Sequence, residues 1–116
     1  MTVISDREHR QALREAAADN PATIVIFRVD RGIRGSVFAL MPEIPADASG
    51  GPCTVYEHVG QHGAANYPHC IATSRPAAPW QYGPLLAELT ELGYRVGMRR
   101  RATHAMHNKR RQAARS

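Results

Sequence analysis

Long apolar runs are missing from this 116-residue chain. No stretch approaches the roughly 20 consecutive apolar residues needed to span a bilayer, so no membrane helix is expected. Cysteine is scarce. Cys53 and Cys70 are the only two, too few for a disulfide scaffold, and there is no CxxC pair of the kind that marks zinc or redox sites. The opening MTVISDREHR lacks an apolar h-region, which predicts a cytoplasmic setting with both thiols free. Internal repeats are absent. RGIRG (31–35) has glycines but no helix after it, so it is not a phosphate loop. Ser36 and Ser74 lie in no nucleophile-elbow pattern. Asp30, Glu43, Asp47 and Glu57 are scattered and form no carboxylate cluster for magnesium.

Acidic residues are also missing from the whole C-terminal part. All ten lie at or before Glu91. Up to Tyr94 there are seven basic residues against ten acidic ones, a net −3; after it come eight basic residues and no acidic one, a net +8. Those eight are Arg95, Arg99, Arg100, Arg101, Lys109, Arg110, Arg111 and Arg115. Such a block attracts polyanions, nucleic acid first among them. By itself it carries no specificity, and the same composition serves a solvated basic end that aids solubility.

What remains is an ordinary globular composition, 43% hydrophobic and 22% charged, in a chain of single-domain size. SDRE (5–8) is a capping box that opens a helix running to about Ala18, with Leu13 its one large anchor. TIVIFRVD (23–30) and SVFALM (36–41) are strands joined by a glycine hairpin at 31–35. PEIPADASGGP (42–52) reads as a loop. CTVYEHVG (53–60) alternates, placing Cys53, Val55, Glu57 and Val59 on one face and Thr54, Tyr56 and His58 on the other. Residues 61–69 read as loop and CIATS (70–74) as a short strand.

Leu85, Leu86, Leu89 and Leu92 form one helical stripe, closed by Gly93 where a C′ glycine belongs. Pro84 restricts the regular part of that helix to residues from about Gly83 onward. Trp80 beside Pro79 reads as a core lid at the helix start. YRVGM (94–98) is a last strand, and residues 99–116 a basic tail, helical on a partner or disordered. The order is α-β-β-β-β-α-β: an α+β fold with a mostly antiparallel sheet and one Leu-rich helix on a face. Residues 1–22 form the N-terminal helix, 23–98 the domain and 99–116 the tail. The expected core is Ile24, Ile26, Phe38, Val55, Leu85, Leu86, Leu89 and Val96.

The segment YEHVGQHGAANYPHC (56–70) holds three of the six histidines and one of the two cysteines. Three chemistries compete there. Cys53, His58, His62, His69 and Cys70 resemble a Cys/His ligand set. In a strand, however, His58 and His62 lie about 13 Å apart, too far to share one ion. No metal and no cofactor are expected. His58 and His62, with Arg75 nearby, could act as the general base and acid of RNA cleavage. Against this, an isolated histidine pair is more readily two strand-end residues bonded to backbone. Recognition is the third reading. Gly60, Gly63, Ala64 and Ala65 allow close approach, while Tyr56, His58, His62, Asn66 and Tyr67 offer stacking faces and hydrogen bonds.

VFALMPEIPAD, YEHVGQHGAANY and PLLAELTELGYRV together resemble a group of short uncharacterised proteins of bacterial phages, plasmids and integrated mobile elements. The resemblance runs from about Thr23 to Arg101. It implies a bacterial cytoplasmic setting and an accessory role, such as nucleic-acid handling or interference with host defence. It assigns no catalytic residue. The sequence therefore favours a small binding module over an enzyme. Its expected partner is nucleic acid, a nucleoprotein complex or a host protein, and no membrane is involved. Residues 56–69 would supply the specific surface, and Arg95, Arg99, Arg100, Arg101, Lys109, Arg110 and Arg111 the electrostatic one. The alternative is a small His-dependent nuclease or metal-assisted hydrolase using His58 and His62.

Overall fold

The computed structural model describes residues 22–32, 35–57 and 61–115. The expected N-terminal helix, His58 and Val59 lie outside the described residues. Strands run over Thr23–Asp30 (β1), Val37–Pro45 (β2), Cys53–Glu57 (β3), Gln61–Ala65 (β4), Ser74–Pro76 (β5) and Val96–Met98 (β6). Helices span Tyr67–Ala72 (α1), Pro79–Glu91 (α2) and His104–Arg115 (α3). The sheet order is β4-β3-β2-β1-β5, with β6 also on β1. All pairings are antiparallel except β1 with β6. The class is α+β.

β1 is central because its run of β-branched and aromatic residues suits burial on both faces. Val25, Phe27 and Val29 are buried on one side, Ile26 and Arg28 on the other. The two sides make two cores. Val25, Phe27, Ala39, Met41 and Tyr56 pack with Leu85 and Leu89 of α2. Ile26, Leu40, Cys53, Val55 and Ala65 pack with Tyr67, Cys70, Ile71 and Ala102. The expected core residues Ile26, Val55, Leu85 and Leu89 are buried. Ile24, Phe38, Leu86 and Val96 are only partly so.

Helix α2 ends as the sequence predicts. Gly93 has φ 105° and donates to Thr90 O, and Tyr94 N–H donates to Leu89 O. That is the Schellman pattern, which turns Tyr94 back onto the core. Its start differs from expectation. The helix begins at Pro79, with Pro84 inside it. Gln81 Oε1 accepts the Ala78 N–H at 2.8 Å and holds that first turn. Trp80 is not a core lid; it is 80% exposed.

Three further segments differ from the sequence reading. β2 runs on through Pro42 to Pro45, with a register break after Met41 where proline cannot donate to the ladder. Residues 61–74 are a strand and a helix rather than loop and strand. Asn66 caps α1, Pro68 sits in its first turn, and the next strand starts only at Ser74. The tail segment His104–Arg115 is a helix docked on the chain's own β2, with Arg110 buried. Gly50 permits this contact. Its φ is 73°, and a Cβ there would come within 3.0 Å of Arg111 Cα and Ala114 Cβ.

Candidate nucleic-acid interface

Strand β3 turns Tyr56 inward, toward α2. The side chain is fully buried and its hydroxyl donates to Glu88 Oε1. Its register partner is His62 of β4, and the two rings meet edge to face with centroids 4.8 Å apart. His62 Nε2 lies 2.9 Å from the Tyr94 hydroxyl. Burial pushes that phenol's pKa up, so it keeps its proton. It can donate that proton to a neutral imidazole bearing its own hydrogen on Nδ1. Two polar pairs, Tyr56–Glu88 and His62–Tyr94, thus stand together at the β3–β4 end. The sequence places Tyr94 at the start of the last strand, which begins only at Val96, and singles out neither Glu88 nor Tyr94 as a site residue. The signal for Glu88 was its position three residues after Leu85 and four before Leu92, on the leucine stripe. Tyr94 follows the C′ glycine, where Schellman geometry brings a residue back to the helix.

The other residues expected on a recognition surface have structural tasks. Asn66 Oδ1 accepts the His69 N–H at 3.0 Å as the cap of α1. Tyr67 Oη accepts the Ala102 N–H at 2.8 Å, and its ring meets His107 at 4.8 Å. Tyr67 therefore fastens α1 to the segment leading into α3. Cys53 is buried in the core opposite the one that holds Tyr56. Burial raises the pKa of both Cys53 and Cys70. His69 is exposed on α1. Among the described residues no group of three or more His, Cys, Asp or Glu side chains could hold a metal ion.

The basic residues form a surface of a different kind. Acidic Glu88 and Glu91, with no basic residue, belong to α2 on one side of the sheet. Lys109, Arg110, Arg111 and Arg115, with no acidic residue, belong to α3, which docks on β2. Arg110 is 3% exposed and faces inward. It donates to Gly50 O at 2.9 Å and Pro42 O at 2.8 Å, and pairs with His107 Nδ1 at 2.6 Å. Arg28, 7% exposed, donates to Ser74 Oγ, Ser74 O and Ile71 O. Its pKa is pushed down by burial, with neighbouring Arg31 and Arg101 adding to the effect.

Among the described residues, the partners of both buried guanidiniums are uncharged. Each is satisfied as a donor, and no carboxylate among the described residues bonds to it. Arg95, Arg99, Arg100, Arg101, Lys109, Arg111 and Arg115 are exposed. Lys109 reaches Glu43 at 3.4 Å, an exposed pair worth about 0–1 kcal/mol. The sequence's −3 and +8 thus become, in part, a difference between helices packed on the sheet.

No helix among the described residues is long and apolar enough to cross a membrane. No family model matches the chain, and no curated protein or solved structure does so either.

Proposed function

We propose that the protein is a nucleic-acid-binding module whose phosphate-contacting surface is Arg99, Arg100, Arg101, Lys109, Arg111 and Arg115. The observation that carries this reading is the pair of buried guanidiniums held only by uncharged acceptors, one of them within a helix that has four basic residues and no acidic one. Such a surface draws phosphates by counterion release, which is blind to base identity. The resemblance to mobile-element proteins favours a nucleoprotein complex of host defence as the physiological target.

Fluorescence anisotropy over a salt series tests this reading. Each phosphate contact removed, for instance by Arg100→Ala or Arg111→Ala, should lower the slope of log affinity against log salt. The expected change is about 0.9 on duplex DNA or about 0.7 on single strands. Absence of binding to any nucleic acid at low salt would sink the reading. Truncation after Met98 is unsuitable as a test, because α3 packs on β2 and its loss disturbs the fold.

A second reading rests on the Tyr56–Glu88 and His62–Tyr94 pairs, which gather acid–base groups beside an exposed imidazole. It makes the protein a His-dependent nuclease or metal-assisted hydrolase, with His58 as the other group. RNA or DNA cleavage by the purified chain, lost in His62→Ala, would establish it.

A further inference from the structure

On β1, strand β5 pairs with Arg28–Asp30 and β6 with Thr23–Val25, the first antiparallel and the second parallel. Each is only three residues long. A crevice opens between them, walled by Phe27, Tyr82, Pro79 and Met98, with Arg99 and Arg100 at its rim. Two of these walls are a stacked aromatic pair: the Phe27 and Tyr82 rings lie 4.8 Å apart and 13° from parallel. The crevice volume is about 280 Å³, just below the ~300–1000 Å³ usual for ligand clefts. A single ring system fits such an opening; a duplex does not.

A second, more open hollow is lined by Trp80, Val29, Arg31 and Arg75, with Asp30 as its one acidic residue among those described. The first turn of α2, carrying Pro79 and Trp80, contributes to both. Trp80 is 80% exposed and Met98 44% exposed, the two large hydrophobic side chains left open to solvent among the described residues. Pro84 has no N–H to give the Trp80 carbonyl four residues back, so that carbonyl lacks its helical donor. An exposed indole with a flat apolar crevice beyond it, and guanidiniums at both rims, suits a ligand that alternates flat rings with negative charges. Arg31 and Arg75 stand at one rim, Arg99 and Arg100 at the other.

We infer that Trp80 and the crevice between β5 and β6 form a stacking platform for unpaired bases of a single-stranded nucleic acid, whose phosphates run between the two arginine rims. The inference rests on the proposed nucleic-acid function and deepens it: it names single strands as the preferred substrate. An apolar peptide would use the aromatic surface but bring no negative charge to the four guanidiniums. A duplex would satisfy the guanidiniums but bring no exposed ring face to the indole.

Trp80 is the only tryptophan in the chain, so its own fluorescence reports the contact. An oligothymidylate and a duplex with the same number of phosphates are titrated into the full chain, with anisotropy of the labelled oligonucleotide followed in parallel. Saturable quenching is expected with the single strand and little with the duplex. Trp80→Ala should lower single-strand affinity about tenfold, within the range for loss of one base–aromatic stack. Duplex affinity and the salt slope should stay as they were, and Trp80→Phe should retain most of the binding. The ring is exposed, so circular dichroism of both variants should match wild type.

Anisotropy binding without quenching, equal quenching by duplex, or unchanged affinity of Trp80→Ala would overturn the platform while leaving the basic surface standing. No binding of either probe at low salt would overturn both. Quenching that grows with protein concentration in buffer alone would assign the indole to a contact between copies and overturn the inference.

Discussion

Replacing Arg110 by methionine tests whether α3 belongs to the folded body. Methionine keeps most of the length and apolar volume but removes every donor. Three bonds are lost, to Gly50 O, Pro42 O and His107 Nδ1. A hydrogen bond from a charged donor contributes roughly 1.5–3 kcal/mol net. Burying a guanidinium has an opposing desolvation cost of several kcal/mol, which the substitution relieves. The stranded carbonyls of Pro42 and Gly50 then decide the sign, since an unsatisfied buried acceptor costs about 1–3 kcal/mol. The expected destabilisation is therefore about 2–4 kcal/mol, a fall in Tm on the order of 10 °C for a chain of this size. Lys109→Ala is the control. It removes an exposed ion pair, and its effect should stay within about 1 kcal/mol. Thermal unfolding gives the magnitude. Limited trypsin digestion gives the location, because α3 supplies its own cleavage sites. Arg110→Met should speed cutting within 104–115 and leave the cleavage after Arg28, buried in the central strand, slow. If Arg110→Met melts with wild type and its α3 is cut no faster, Arg110 does not pin the helix and the docking argument is wrong.

Leu89 is fully buried in the α2 core, so Leu89→Ala should cost about 2–5 kcal/mol in urea unfolding. Gly50→Ala combines a positive φ with a 3.0 Å contact against the Arg111 backbone. About 1–2 kcal/mol for the conformation and 1–3 kcal/mol for overpacking should appear as a lower Tm with loosened α3. Burial lowers the pKa of His107, with Arg110, Arg111 and His104 adding to the effect. The folded state thus disfavours the proton while the unfolded chain takes it up near pH 6.5. Stability from this group is complete above that pH and falls as the pH drops below it. Denaturant titrations should show the loss, and His107→Gln should remove that part of the pH dependence.

The residues that could be read from sequence are those whose local preference and tertiary place agree. TIVIFRVD is a strand by propensity and sits at the centre of the sheet. Leu85, Leu89 and Gly93 carry both the helix period and its stop. The unread parts set these levels against each other. Gln61–Ala65 has no β-branched residue and forms a strand only because β3 offers it an edge. Helix α1 is six residues long, below the length at which periodicity speaks, although Asn66 and Pro68 announced its start. Docking of α3 was hidden by composition. Ala102, Met106, Arg110 and Ala114 recur every fourth residue as an inward stripe, but its most buried member is an arginine. Only the two carbonyls left free by a proline-broken strand and a glycine turn explain why a cation lies there. Trp80 failed in the opposite direction, since a large aromatic at a helix start normally signals a lid.

The docking of α3 changes what the basic segment can do. On a free tail each guanidinium must be ordered anew at every phosphate it meets, and that lost freedom subtracts from affinity. On a docked helix Arg111 and Arg115 stand one turn apart, about 6 Å along the axis, before any ligand arrives. Arg110 is the residue that separates these two mechanisms, because it is buried and presents no charge group to a ligand. Arg111→Ala removes a contact and should flatten the salt dependence. Arg110→Met removes no contact, so it should weaken binding through lost preorganisation and leave the slope near that of wild type. A tail acting by charge alone would respond to the two substitutions alike, since each deletes one positive charge from the same helix.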